Sequence, residues 1–237
     1  MTKQDYQDKL QEKLNSEISI DLKKSIIKAF DYFKAEPLLF FGFTALLLFL
    51  SIFTSRLQLF GALINVFLLP PLIAGYFTAA RKMDNGEKIS LLNFFEGFNH
   101  WLNVFVGTSL SGLLILSGSF LLLLPGIYLA ISYIFVIPFM VLAGLEFWDA
   151  MEASRKLIAK NFWNAFAFVL GLLLLNLAGV MLFGIGVFIS LPLTYLSIYA
   201  AFNNIFYEEK SFDASHIGSC FASGFRAVFP VYSRIIG

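Results

Sequence analysis

The chain has 237 residues, of which 58 % are apolar and only 14 % charged, with a net charge of +1, and its mean hydropathy is +0.77. Soluble domains carry about 45–50 % apolar and about 25 % charged residues. The balance here excludes a disordered chain and argues against a soluble enzyme, whose surface these few charges could not cover. Net charge near zero leaves no nucleic-acid footprint. One cysteine, Cys220, forms no internal disulfide, and two histidines, His100 and His216, cannot build a Cys/His zinc cluster.

The first 36 residues are charged and hold no secretory h-region, so the first apolar run is expected to be retained. Within them, Leu22, Ile26, Phe30 and Phe33 share one face at helical spacing, with Lys23, Lys24, Lys28 and Asp31 on the others. Residues 1–36 are therefore read as a cytoplasmic segment with an amphipathic helix. Residues 37–206 follow as a transmembrane domain. A spanning helix needs about 20 mostly apolar residues, and six segments qualify: Pro37–Phe53, Leu57–Ala80, Trp101–Leu124, Ile127–Leu145, Phe162–Phe183 and Ile185–Phe206. Runs such as Leu121–Leu124 do not alternate, which rules out membrane strands.

The outer turns are minimal: Thr54-Ser55-Arg56, Pro125-Gly126 and Gly184-Ile185-Gly186. Sixteen of the 17 Lys and Arg residues fall on the opposite side, Arg56 being the exception. By the positive-inside rule both termini are cytoplasmic. Two further short amphipathic stretches precede the second and third helical hairpins. One has Leu91, Phe95 and Phe98 on a side. The other runs from Phe147 to Lys160, with Phe147, Met151, Ile158 and Phe162 opposite Asp149, Glu152, Lys156 and Lys160. The units look related: Phe30, Asp31, Phe33, Phe40 and Gly42 are matched 65 positions on by Phe95, Glu96, Phe98, Phe105 and Gly107. The fold expected is an all-α membrane protein, a six-helix bundle of three hairpins, each preceded by a short interfacial helix. Residues 207–237 are a cytoplasmic or interfacial tail, in which Ile217, Phe221, Phe225 and Val228 share a helical face.

No Asp, Glu, Lys, Arg or His lies inside the six segments. Such groups mark proton relays and ion paths, so their absence weakens a proton-coupled carrier or a voltage sensor. The intramembrane polar or hinge positions are Asn65, Pro71, Pro138, Asn176 and Pro192. The asparagines, with the serines of segment three, line a polar path or tie helices together. The prolines, Pro70 among them, either break helices at a binding site or simply kink them. No nucleophile elbow, Walker loop, His-Glu-x-x-His or Cys-x-x-Cys occurs.

Further signals are short and rich in Gly, Pro and aromatics. Leu-Leu-Pro125-Gly126-Ile127-Tyr128 precedes Pro138. Trp148-Asp-Ala-Met-Glu-Ala-Ser154-Arg-Lys-Leu-Ile, Asn161-Phe-Trp163, Gly184-Ile-Gly186, Leu191-Pro192 and Tyr199-Ala-Ala follow. With Leu-Pro-Pro71-x3-Gly75-Tyr76 and Phe94-Phe-x-Gly97-Phe98, the pattern resembles a broad group of bacterial integral membrane proteins over most of residues 20–206. That group is similar to the membrane domain attached to some glycerophosphodiester phosphodiesterases. The resemblance implies a six-helix inner-membrane bundle linked to lipid or envelope processes, and it implies no catalytic residues and no cofactor. The soluble hydrolase barrel is absent from this sequence. The function expected is a non-enzymatic inner-membrane module, membrane-organising, lipid-associated or partner-binding. Membrane lipids or another membrane protein would be its partners. The alternative is a transporter or channel for a lipid-like or uncharged small molecule.

Overall fold

The computed structural model describes residues 8–12, 20–182, 184 and 186–206. The tail helix expected around Ile217 and Phe221, with His216 and Cys220, lies outside the described residues. So do Phe183 and Ile185. Among the described residues all regular structure is helical. In chain order the helices are α1 (Leu22–Ala35), α2 (Pro37–Ser55), α3 (Gln58–Asp84), a 3-10 helix (Leu91–His100), α4 (Trp101–Leu121), α5 (Leu123–Ser132), α6 (Val136–Val141), α7 (Phe147–Lys160), α8 (Phe162–Met181) and α9 (Val187–Phe206).

Local chemistry sets several of the starts. The Asp21 carboxylate accepts from Lys24 N and caps α1. Pro37 occupies the first turn of α2, where a missing N–H costs nothing. Ser90 and Asn93 form a reciprocal capping box at the 3-10 helix.

Five runs are long and apolar enough to cross a membrane: α2, α3, the 3-10 helix with α4, α5 with α6, and α8. The sixth expected segment forms α9, a 20-residue helix outside that set. It carries Ser190, Thr194, Ser197 and Asn203 and is largely enclosed by protein. A helix wrapped by other helices can keep polar side chains, because they face protein rather than lipid.

The packing closes on itself. α2 pairs with α3, α4 with α5, and α8 with α9. Each pair is led by a short helix that packs on the second helix of another pair: the 3-10 helix on α3, α7 on α5 and α6, and α1 on α9. Each leading helix meets the helix it introduces at a single bend residue, which for the 3-10 helix is its own last residue. The bend residues are Glu36 (φ −140°, ψ 62°), His100 (φ −116°, ψ 22°) and Asn161 (φ −137°, ψ 55°).

The contact faces differ from those read in the sequence. α1 buries Ser25, Ala29 and Tyr32, while Phe30 is 42 % exposed. The 3-10 helix buries Phe94 and Gly97 rather than Leu91 and Phe95. Close helix approach favours small residues at the contact, so Phe30, Leu91 and Phe95 stay exposed, while Leu22, Phe33 and Phe98 of the same stripes pack against the core. The second outer turn differs as well. Leu122 is the extended residue between α4 and α5, and Pro125 and Gly126 belong to the first turn of α5, where proline is compatible with helix.

The interior near the leading helices is aromatic: Phe40, Phe43, Tyr76 and Phe94 are fully or almost fully buried. Phe43 and Phe94 have ring centroids 4.5 Å apart, and Tyr76 stacks on Tyr195 at 5.1 Å. Toward the connecting turns the paired helices turn apolar side chains outward, including Phe49, Phe53, Leu59, Phe60, Leu116, Phe120, Leu177 and Met181.

Candidate functional site

A 27-residue helix such as α3 is about 40 Å long at 1.5 Å per residue. That exceeds the roughly 30 Å of bilayer hydrocarbon. The last residue of α3, Asp84, is a hub. Its Oδ1 accepts from the Tyr32 hydroxyl of α1. Its Oδ2 accepts from the Tyr199 hydroxyl at 2.7 Å and from Asn203 Nδ2 at 2.8 Å, both on α9. Tyr199 and Asn203 stand four apart and therefore share one helix face. The Tyr32 and Tyr199 rings meet edge to face at 5.8 Å. Both tyrosines are buried, and among the described residues no cationic side chain pairs with Asp84. Burial first, and then the Asp84 charge, push the Tyr32 hydroxyl above its ordinary pKa. It stays protonated and donates.

A second set of polar groups satisfies broken backbone. The chain leaves helix between α5 and α6, at Tyr133–Phe135. Ser154 Oγ, from α7, donates to Ser132 O at 2.6 Å and accepts from Phe135 N at 3.3 Å. Leu142 O receives Arg81 Nη1 at 2.9 Å, and Leu145 O receives Asn103 Nδ2 at 2.7 Å. Both carbonyls lie in the largely buried turn between α6 and α7, where unpaired groups would be costly. Lys82 pairs with Glu96 at 2.8 Å, joining α3 to the 3-10 helix.

The five positions singled out in the sequence occupy separate places. Asn65 Oδ1 accepts from Thr54 Oγ1 at 2.8 Å and ties α3 to α2. Asn176 donates to Thr194 Oγ1 at 2.6 Å and accepts from Ser190 Oγ at 3.1 Å, tying α8 to α9. Pro71 is buried in α3, and its carbonyl lies against Gly97. Pro138 sits in the first turn of α6, just past the break that Ser154 bridges. Pro192 is buried inside α9, which remains continuous. Among the described residues no group of three or more His, Cys, Asp or Glu could hold a metal. Sequence reasoning missed Tyr32, Asp84, Tyr199, Asn203 and Ser154. The available signal was a tyrosine and an asparagine four apart on an apolar helix. What the arrangement does chemically is to fasten three helices to one carboxylate.

Comparison with known proteins gives one family. Residues 105–207 match the family described as the membrane domain of glycerophosphoryl diester phosphodiesterase. The match covers the run from α4 to the end of α9, less than half of the chain, and over it the similarity to that membrane domain is shown. No curated protein and no solved structure matches the chain. With five helices long and apolar enough to cross a bilayer, the chain is a membrane protein.

Proposed function

We propose that this chain is a non-enzymatic module of a bacterial inner membrane that associates with lipid or seats another membrane protein. In this reading α9 is a sixth span, the three helix pairs are hairpins, and both termini are cytoplasmic. The repeated bends at Glu36, His100 and Asn161 support three related units. The observation that carries the reading is the division of the molecule. The leading helices interlock around a polar and aromatic interior, while the hairpin ends expose Phe49, Phe60, Leu116, Phe120 and Met181. Surfaces of that kind need a lipid or apolar partner to cover them. The transport alternative would need a path through the bundle, and the filling of its interior by Tyr32, Phe40, Tyr76 and Phe202 favours the module.

Purification in mild detergent tests this, with lipid extraction and mass spectrometry of the size-exclusion peak. Co-eluting phospholipid or a stoichiometric membrane partner is expected. A monomer that carries neither overturns the reading. Impermeant thiol labelling of single cysteines at Asn85 and Lys156, in a Cys220→Ser background, should place both on the cytoplasmic side.

A further inference from the structure

The cations of α1 differ from Lys82 and Lys156. Lys82 is paired with Glu96 and Glu87, and Lys156 with Glu152. Among the described residues Lys23, Lys24, Lys28 and Lys34 have no acidic partner within salt-bridge distance. Asp31 is the only acidic residue within α1, and the Asp21 carboxylate before it is engaged as the cap.

Positions 23, 27, 30 and 34 fall on one helix face, so the outer stripe of α1 reads Lys23, Ile27, Phe30, Lys34. Ile27 is 53 % exposed and Phe30 42 %. Lys34 folds its Nζ to 4.5 Å from the Phe30 ring centroid, keeping charge at the rim of an apolar surface. At the other end of the stripe an open groove is lined by Ile20, Leu22, Lys23, Ile26 and Ile27 together with Asp21. Basic charge without counter-ions beside exposed aliphatic surface complements an anionic lipid.

We propose that α1 is a binding site for anionic phospholipid. An acyl chain lies along Ile26 and Ile27, and the headgroup phosphate is held by Lys23 at the groove, with the other lysines of α1 adding to the positive field. This deepens the lipid-associated reading and rests on it. The site lies at the start of α1, whose far end leads into α2 at Pro37, and α1 is anchored from behind by Tyr32 on Asp84. Lipid occupancy therefore acts on a helix already joined to the bundle.

The test is native mass spectrometry of the detergent-solubilised full chain, incubated with an equimolar mixture of dioleoyl phosphatidylglycerol and dioleoyl phosphatidylcholine. The wild type should retain phosphatidylglycerol preferentially. The variant Lys23→Gln/Lys24→Gln/Lys28→Gln/Lys34→Gln should lose that preference by about fivefold for each lysine that reaches the headgroup. A Lys82→Gln/Lys156→Gln control should keep it. Lys23, Lys24 and Lys34 are exposed and Lys28 is half-buried over the Tyr32 ring, so an unchanged size-exclusion profile and melting temperature will show that the variant is folded. Equal retention of both lipids by the wild type, or a preference untouched in the α1 variant, overturns the proposal while leaving the lipid-associated reading intact. Retention of neither lipid overturns both.

Discussion

Asp84 and Tyr199 stand 115 positions apart, yet the Tyr199 hydroxyl donates to Asp84 Oδ2 at 2.7 Å. With Tyr32 on the other oxygen, one carboxylate fixes the end of α3 to both α1 and α9. Asp84→Ala removes the acceptor of two buried hydroxyls, each at a cost of about 1–3 kcal/mol. A melting temperature well below wild type is expected, with faster proteolysis of α1. The cycle of Asp84→Asn with Tyr199→Phe should be non-additive, because the two side chains share one bond. Additive effects would show that the bond carries no energy.

Tyr32 also gives the fold an alkaline limit. Its ordinary pKa is 10.0, and burial followed by the Asp84 charge raises it in the folded chain. A group that holds its proton more tightly when folded contributes stability fully below its unfolded pKa and loses it as pH rises through the folded value. Stability should thus be level around neutrality in this respect and fall once pH passes about 10. Tyr32→Phe should lower stability at neutral pH but flatten the alkaline slope. Melting temperatures across pH 8–11.5 would test this, and an equally steep slope in the variant would refute the assignment.

The hub was illegible in the sequence for a definite reason. Asp84 follows Arg81 and Lys82 at the end of an apolar run, where a carboxylate reads as a solvated loop residue. Its partners lie on helices far away in the chain, and periodicity carries no information about which helices meet. Asn65 and Asn176 were legible because an amide inside an apolar run is conspicuous. Their partners, Thr54 and the Ser190–Thr194 pair, sit across a short turn, so local reasoning reaches them. The apolar runs themselves foretold the helices, since length and hydropathy are local properties. The buried face of α1 was not foretold, because Ser25 and Ala29 are chosen by how closely α9 approaches.

Asn176 makes two side-chain bonds to α9 and Asn65 one to α2. Interhelical bonds of this kind average about 0.6 kcal/mol and reach about 1.7. Asn176→Leu should lower the melting temperature modestly, and Asn65→Leu less. A loss of stability much larger than this range would mean the pair does more than clamp its hairpin.

Ser154 presents a sharper case. It is fully buried and serves both sides of the break between α5 and α6, donating to Ser132 O and accepting from Phe135 N. Ser154→Ala leaves a carbonyl and an amide unsatisfied, for a loss of about 1–3 kcal/mol. Ser154→Val, which adds bulk, should be worse. Hydrogen exchange at Phe135 should rise in the alanine variant. Unchanged protection there would show that the break is satisfied by other groups.

Backbone proximity between α3 and the 3-10 helix yields the strongest contrast. A Cβ at Gly75 would lie 1.9 Å from Phe94 O, and one at Gly97 2.1 Å from Pro71 O, whereas a Cβ at Gly42 meets nothing within 4 Å. Backbone oxygen cannot swing aside as a side-chain tip can. Gly75→Ala and Gly97→Ala must therefore push the two elements apart, opening the Phe43–Phe94 contact and stretching the Lys82–Glu96 pair. The cost belongs at or above the upper end of the usual overpacking range of about 1–3 kcal/mol. Gly42→Ala removes a flexible residue from a helix interior without a clash and should stabilise by about 0.5–1 kcal/mol. Thermal unfolding of the three variants decides the matter: if all three behave alike, the 3-10 helix does not lie against α3 at Pro71–Gly75.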